Sequence, residues 1–86
     1  MRLYIDNFLN GDFLLQLEID NNDYWLDRDI TYHLNIEFEE YEIILKKYNA
    51  HLTFGYGQYG FKNKEDAEKA IEELEPYLIL ATLTGE

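Results

Sequence analysis

An excess of carboxylates limits what this chain can fold into. Eighteen Asp and Glu residues face seven Lys and Arg, which gives a formal net charge of −11 over 86 residues. A strongly charged chain stays disordered when it cannot bury enough apolar surface. Here 47% of the residues are hydrophobic and 16% are aromatic. We therefore predict one compact domain over residues 1–86, with its carboxylates spread over the surface.

The composition also excludes several kinds of chemistry. The chain has no Cys and no Ser, so disulfides and Cys-type zinc sites are impossible and the nucleophiles are limited to Thr, Tyr and Lys. The two imidazoles, His33 and His51, lie on different predicted strands. Because no nucleophile is paired with a base, we predict that the protein is not an enzyme and needs no cofactor.

A metal site and a membrane location are not expected either. Residues 20–23, DNND, begin like a calcium loop, but Trp25 and Thr31 stand where that loop has Gly and Glu. The opening residues do not resemble a signal peptide, and no apolar run approaches the roughly 20 residues of a membrane span. We expect a soluble protein of the cytoplasm.

Strands are predicted where apolar residues alternate with polar ones. A hairpin is expected around Asn10 and Gly11, followed by a second turn over residues 20–23. The predicted or possible strands cover residues 2–8, 12–19, 24–26, 30–34, 51–61 and 77–83.

Apolar residues spaced three and four apart predict two helices. The first covers residues 36–48 with Asn35 as its N-cap, and the second runs from the cap Asn63 to Pro76, which is expected to end it. The resulting order, β-β-(β)-α-β-α-β, predicts an α+β fold. It would consist of a mostly antiparallel sheet of four to five strands with two helices on one face.

Part of the chain resembles RNA-recognition-motif domains. Residues 2–8, RLYIDNF, resemble the second ribonucleoprotein motif of that family, residues 54–61, FGYGQYGF, resemble the first, and residues 64–74 are similar to the helix that follows. The resemblance implies nucleic-acid binding through three aromatic residues, Tyr4, Phe54 and Tyr56. In that family a helix follows the first strand directly, whereas a hairpin is predicted here. Nucleic-acid binding is therefore the alternative function.

The small size and the acidity also resemble phage and mobile-element proteins that inhibit host defence, such as DNA-mimicking antirestriction and anti-CRISPR proteins. Residues 2–13, RLYIDNFLNGDF, are similar to the opening of antirestriction proteins. Acidic immunity proteins that block nuclease sites have the same kind of surface. The resemblance implies an inhibitor that occupies the basic nucleic-acid-binding surface of a nuclease or defence complex in the host cytoplasm. An assembly subunit with a basic partner is a further alternative.

Three acidic patches are candidates for the contact with such a partner. One follows a face of the second helix, one begins the first helix, and one surrounds two aromatic residues in the segment 20–29. The predicted partner-binding residues are Asp20, Asp23, Tyr24, Trp25, Asp27, Asp29, Glu37, Glu40, Glu65, Glu68 and Glu72. Because large aromatic side chains exclude water from charge contacts, we expect the segment 20–29 to contribute most.

The charge alone generates a first prediction. Phosphate binding depends on basic side chains that release counterions, and this chain has no basic cluster. We expect no measurable binding of short single-stranded or duplex DNA or RNA at physiological salt, as measured by fluorescence anisotropy. Micromolar binding that weakens steeply with added salt would contradict this prediction and favour the RNA-recognition alternative.

Overall fold

Three consecutive strands form an antiparallel sheet at the start of the fold. The computed structural model describes residues 1–8, 11–53 and 58–84. The strands are paired in the order β1-β2-β3 and are β1 (Arg2–Asn7), β2 (Phe13–Ile19) and β3 (Asn22–Tyr24). The predicted hairpin of β1 and β2 is confirmed, and Gly11 in its turn has a φ of 89°. Asn10, the other predicted turn residue, lies outside the described residues.

The second turn is a two-residue connection between β2 and β3. Asp20 and Asn21 have φ values of 49° and 70°, and the flanking Ile19 and Asn22 face each other across the strand pair. Two consecutive positive φ angles are what a tight hairpin turn needs, and Asp and Asn tolerate them better than most side chains. The predicted turn is therefore confirmed at residues 20 and 21. Residues 22 and 23 belong to β3 instead, and of the possible strand over residues 24–26 only Tyr24 is in a strand.

Two helices follow, and the first of them was predicted as strand. α1 (Asp27–Leu34) includes the whole of residues 30–34, and α2 (Phe38–Lys47) confirms the helix predicted over residues 36–48. Asn35 is not the N-cap of α2. It has a φ of 57° and is the C-cap of α1, where its N–H bonds back to the helix carbonyls.

The error over α1 has a physical reason. Ile30, Thr31 and Leu34 are all buried, and their spacing of one and three residues fits one face of a helix as well as it fits an irregular strand. With only eight residues, the element is too short for its periodicity to distinguish a helix from a strand. The acidic first turn, which favours a helix, decides in its favour.

A second small hairpin connects the helices to the end of the chain. β4 (His51–Leu52) pairs antiparallel with β5 (Tyr59–Gly60), where a single strand was predicted over residues 51–61. The backbone groups of Phe61 bond to those of Phe13 in both directions, at 2.8 and 2.9 Å. This bridge attaches the second hairpin to the free edge of β2, beside the start of that strand.

The last helix continues through the proline that was expected to end it. α3 (Lys64–Thr84) begins directly after Asn63, as predicted, but Pro76 lies inside it, and the strand predicted over residues 77–83 is helical. The buried positions after Pro76 continue the apolar face of those before it, with the series Ala67, Ala70, Leu74, Leu78 and Ala81. Burial of this unbroken face offsets the hydrogen bond that the proline lacks.

The core lies between α3 and one face of the sheet. Leu3, Leu15 and Leu17 point from the strands toward the buried face of α3, whose alanines let the helix approach closely. α1 and α2 pack beside α3 and add Ile30, Leu34, Tyr41, Ile44 and Leu45 to the same core. Within the described ranges, no helix has an apolar stretch that could cross a membrane.

The α+β class is thus confirmed, and the detailed arrangement differs from the prediction. Across residues 1–8, 11–53 and 58–84 the order is β-β-β-α-α-β-β-α, with a three-stranded and a two-stranded antiparallel sheet and three helices. Most of the difference comes from the two segments that were predicted as strands and are helical.

Replacement of the internal proline tests the length of α3. Pro76→Ala restores a backbone donor within the helix, so we expect the free energy of unfolding to rise by about 1–3 kcal/mol in urea titrations. Glu75→Ala, at the exposed neighbouring position, should change it by no more than about 0.5 kcal/mol. If residues 77–83 were a strand, the proline would mark a helix end and its replacement would bring no gain.

Candidate interaction surface

Asp27 was predicted as a surface contact, but the structure buries it. Its side chain is 4% exposed, at the first turn of α1. The Tyr41 hydroxyl donates to Oδ1 at 2.7 Å and the Tyr59 backbone N–H donates to Oδ2 at 2.7 Å. The Gln58 side chain accepts from the Asp27 backbone N–H at 3.0 Å. Asp27 therefore joins α1 to α2 and β5 and is not available to a partner.

Burial also changes the protonation of this carboxyl. Removal from water raises the pKa of Asp27 to about 6, against the opposing effect of the three groups that hydrogen-bond to it. The same burial raises the pKa of Tyr41 well above its usual value. Asp27 is consequently a structural group whose ionisation is costly near neutral pH.

The other residues of the segment 20–29 lie at or near the surface. Asp20 and Asp23 are exposed, and Asp29 is half-buried in the first turn of α1. Tyr24 packs its ring 4.5 Å from that of His33, and Trp25, 40% exposed, lies 5.9 Å from the ring of Phe8. The aromatic residues thus pack partly against their own fold, and Asp20, Asp23 and Asp29 remain outside the core.

Tyrosine hydroxyls hold many of the carboxylates in this protein. Tyr48 donates to Glu73 at 2.6 Å and Tyr77 donates to Glu40 at 3.0 Å, which ties α2 to α3. The pairs with donor–acceptor distances of 2.6 to 3.0 Å are Tyr4–Asp23, Tyr41–Asp27, Tyr48–Glu73, Tyr59–Glu42 and Tyr77–Glu40. A tyrosine hydroxyl is neutral, so it orients a carboxylate without cancelling its charge.

An acidic face follows the first half of α3. Glu65, Glu68, Glu72 and Glu75 are exposed and are spaced three, four and three residues apart. At ~1.5 Å of rise per residue, their carboxylates recur about every 5 Å along the helix. We call these four residues the acidic stripe. Glu37 and Glu40 are exposed at the start of α2, so the remaining predicted contacts also lie on the helical side of the molecule.

The ion pairs of the described residues do not include this stripe. Arg2 pairs with Glu18 at 2.9 Å, Lys47 with Glu73 at 3.1 Å and Lys62 with Asp12 at 3.7 Å. Among the described residues, no ion pair within 4.0 Å involves the acidic stripe, Glu37 or Glu40. Lys64 and Lys69 of the same helix reduce the field of the stripe without forming an ion pair within 4.0 Å.

One cluster brings together a carboxylate, an imidazole and a hydroxyl, as some catalytic sites do. Asp12, 4% exposed, contacts His51 Nε2 at 3.1 Å and accepts a hydrogen bond from the Thr53 hydroxyl. The Thr53 bond, aided by His51, lowers the pKa of Asp12 below its usual value. The threonine hydroxyl points at the carboxylate, so this arrangement does not present His51 as a base acting on Thr53. The cluster fastens β4 to the start of β2.

The described residues offer little to a metal or a small molecule. No group of three or more His, Asp or Glu side chains that could hold a metal ion occurs among them. A shallow open groove of about 270 Å³ lies between α1 and α2, lined by Arg28, Thr31, Tyr32, Asn35, Ile36, Glu37 and Phe38. Its breadth and the absence of convergent buried polar groups do not suit a tightly held cofactor.

Of the three aromatic residues of the RNA-recognition alternative, Tyr4 is the one that lies within the described residues. Tyr4 lies on the sheet face that carries no helix, where its hydroxyl bonds to Gln16 and Asp23 and Arg2 lies over its ring at 4.5 Å. Phe54 and Tyr56 lie outside the described residues. The Tyr4 hydroxyl is thus engaged by a carboxylate and an amide, and its ring is already covered on one face by the Arg2 guanidinium.

Comparison with known proteins adds no assignment. No protein-family model, curated protein or solved structure matches this chain. The interaction surface must therefore be interpreted from its own geometry and charge.

Two features of this surface were missed from the sequence. The tyrosine–carboxylate pairs join residues far apart in the chain, so no local pattern indicates them. The second is a group of exposed apolar residues on the last two turns of α3, which had been placed in a buried or edge strand. The apolar residues after Pro76 continue the helical spacing of residues 67–74. That continuity indicates one long helix, but Pro76 was interpreted as the helix end.

The buried carboxylate generates a prediction about pH. Because the pKa of Asp27 is raised from 3.8 to about 6 in the folded state, its stabilising effect is complete below pH 3.8 and is lost as the pH rises through 6. We expect the free energy of unfolding, relative to that of Asp27→Asn, to fall by about 2–3 kcal/mol between pH 4 and pH 7. Chemical denaturation across this range measures the difference, and a wild-type stability that rises relative to the variant would contradict it.

Proposed function

We propose that this protein is an acidic inhibitor that binds another protein and blocks its basic nucleic-acid-binding surface. The observation that carries the proposal is the acidic stripe of α3, whose carboxylates are exposed and lie in no ion pair within the described part of the chain. A row of carboxylates on a rigid helix attracts basic surfaces and speeds encounter with them.

The way the fold holds its carboxylates supports this function. Glu40 and Glu73 are oriented by Tyr77 and Tyr48, and only Glu73 also contacts a lysine. Neutral donors let the protein pack helices together while keeping the net charge of −11. A protein selected only for stability gains more from balanced charges, because like charges repel in the compact state.

One stripe of carboxylates is too widely spaced to copy a DNA strand by itself. Phosphates recur about every 3.4 Å along one DNA strand, whereas one helix stripe repeats about every 5 Å. Glu37 and Glu40 of α2 add a second acidic region beside α3. The two regions make the helical side of the molecule acidic, which is the kind of surface that the resemblance to antirestriction and anti-CRISPR proteins implies.

Affinity capture from the organism of origin tests the proposal. The immobilised protein should retain a basic nucleic-acid-binding protein, and excess duplex DNA or RNA should displace it. Glu65→Gln/Glu68→Gln/Glu72→Gln should reduce capture about tenfold or more, because it removes three carboxylates from the acidic stripe.

Asp20→Asn/Asp23→Asn/Asp29→Asn is the matched control, since it changes the net charge by the same amount on another surface. It should capture the partner nearly as well as the wild type does, because the burial of Asp27 and the partial burial of Asp29 leave the segment 20–29 with fewer exposed carboxylates than the acidic stripe. A captured protein without a nucleic-acid-binding surface, or one that binds nucleic acid and this protein at the same time, would contradict the proposal. A greater loss in the control would place the contact near Trp25.

A further inference from the structure

The first strand of the sheet has a free edge. β1 pairs with β2 on one side, and among the described residues no strand or bridge pairs with its other side. A free strand edge presents backbone N–H and C=O groups to which another strand can be added. The edge of β1 is therefore a candidate for strand addition.

The hydrogen-bond pattern shows which backbone groups lie on this edge. Phe13 bonds to Phe61 in both directions, so its backbone groups point away from β1, and Asn7 opposite it is a non-hydrogen-bonded position. Because this direction alternates along a strand, the backbone groups of Leu3 and Ile5 also point away from β2. These groups have no hydrogen-bond partner among the described residues. Residues 3 and 5 thus hold free donors and acceptors of the edge.

The side chains of β1 are arranged symmetrically about Tyr4. Its neighbours Leu3 and Ile5 are both apolar and pack against the core, whereas Arg2 and Asp6, two positions away, carry opposite charges. If a second copy of β1 is laid antiparallel with Tyr4 opposite Tyr4, Leu3 lies opposite Ile5 and Arg2 lies opposite Asp6. The same register places the free backbone groups of Leu3 and Ile5 opposite each other, as a hydrogen-bonded pair requires.

We propose that this protein forms a two-fold symmetric dimer in which β1 pairs antiparallel with β1 of a second copy, in the register centred on Tyr4. The pairing joins the two three-stranded sheets into one. Leu3 and Ile5 of each copy exchange backbone hydrogen bonds with Ile5 and Leu3 of the other, and their side chains continue the apolar face of the sheet. Arg2 and Asp6 form cross-strand ion pairs, which stabilise the register. The inference is independent of the proposed function.

The charges on the outer face of the sheet are compatible with this pairing. Arg2 pairs with Glu18 of its own copy at 2.9 Å, and Tyr4 donates to Asp23 at 2.9 Å. In the dimer each Arg2 lies between Glu18 of its own copy and Asp6 of the other. Charged residues on an edge strand usually prevent pairing. Here they attract each other, because the antiparallel register joins opposite signs.

One side of α3 adds charges near the same edge. Thr82 contacts Met1 at 3.9 Å, so the side of α3 that carries Thr82 lies beside the start of β1. By helical spacing, the charged residues on that side are Lys64, Glu68 and Glu75. They leave a small negative excess in each copy, and the net charge of −11 adds a general repulsion. Salt screens this repulsion beyond about 8 Å at physiological ionic strength, so short-range contacts decide whether the copies pair.

A second copy suits this edge better than a strand of another protein does. Arg2 and Asp6 lie at equal distances from Tyr4, and this symmetry gives two ion pairs when the same sequence runs in the opposite direction. Such self-complementarity is the property of a two-fold interface. A strand rich in basic residues would meet Arg2 with a like charge.

Charge-swap variants test the register by sedimentation velocity. The wild-type protein should form a concentration-dependent dimer. Asp6→Arg places arginines opposite each other and should weaken dimerisation about tenfold or more, although it lowers the net charge. Arg2→Glu/Asp6→Arg restores opposite charges and should recover the wild-type dimerisation. Glu39→Arg, at an exposed position of α2, is the matched control, because it changes the net charge equally but should not weaken the dimer.

Single cysteines test which residue lies on the two-fold axis. The chain has no Cys, so each variant has one thiol. In the proposed register residue 4 lies opposite itself at about 4.5 Å between Cα atoms, within reach of a disulfide. Residue 2 lies roughly 14 Å from its own copy. Tyr4→Cys should therefore form a disulfide-linked dimer under mild oxidation, and Arg2→Cys, the matched control on the same strand, should form about tenfold less. Circular dichroism checks that each variant is folded.

Several results would overturn the proposal. They are a wild-type protein that stays monomeric at about 1 mM, equal effects of Asp6→Arg and Glu39→Arg, a loss in Asp6→Arg that Arg2→Glu/Asp6→Arg does not restore, and equal cross-linking of Tyr4→Cys and Arg2→Cys. A captured partner that protects the amides of Leu3 and Ile5 from hydrogen exchange, while the free protein stays monomeric, would assign the edge to another chain instead. Displacement of the captured partner by DNA does not depend on these results, so the proposed function stands or fails separately.

Discussion

The hydrogen bond between a tyrosine hydroxyl and a carboxylate is the interaction on which this fold depends most. It connects strand to strand through Tyr4, helix to helix through Tyr48 and Tyr77, and α2 to the buried start of α1 through Tyr41. With seven Lys and Arg for eighteen carboxylates, salt bridges could not do this for more than a minority of the acidic residues. Hydrogen bonds to charged acceptors are also stronger than neutral ones, so each pair helps to fix the packing of the elements it joins.

The same interaction links the stability of the protein to its proposed activity. Lysines in place of these tyrosines would tie the elements together and cancel the charge that the proposed partner recognises. Neutral donors leave the negative charge of the carboxylates intact. The carboxylates then repel one another in the folded state, which lowers its stability. Asp27 is the extreme case, since its carboxyl is buried among neutral donors and its pKa rises to about 6.

The parts of the fold that the sequence predicts are those governed by local chemistry. The β1–β2 hairpin follows from alternation and the turn at Gly11, and α2 follows from its apolar spacing and its acidic start. α1 was missed because eight residues carry too little periodicity, and the end of α3 was missed because the burial of Leu78 and Ala81 outweighs the helix-breaking tendency of Pro76. The spacing of the glutamates in the sequence also predicted the acidic stripe. It could not distinguish the buried Asp27 from its exposed neighbours, because its partners Tyr41 and Gln58 are distant in the chain.

Zero-length cross-linking of the complex with the captured partner tests the central claim most directly. A carbodiimide joins a carboxylate to a lysine only where the two are in contact, so mass spectrometry of the products identifies the acidic residues at the interface. The account predicts cross-links from Glu65, Glu68 and Glu72 to lysines of the partner's nucleic-acid-binding surface, and their loss when duplex DNA is added first. Cross-links concentrated at Asp20 and Asp23, or lysines outside that surface, would contradict it.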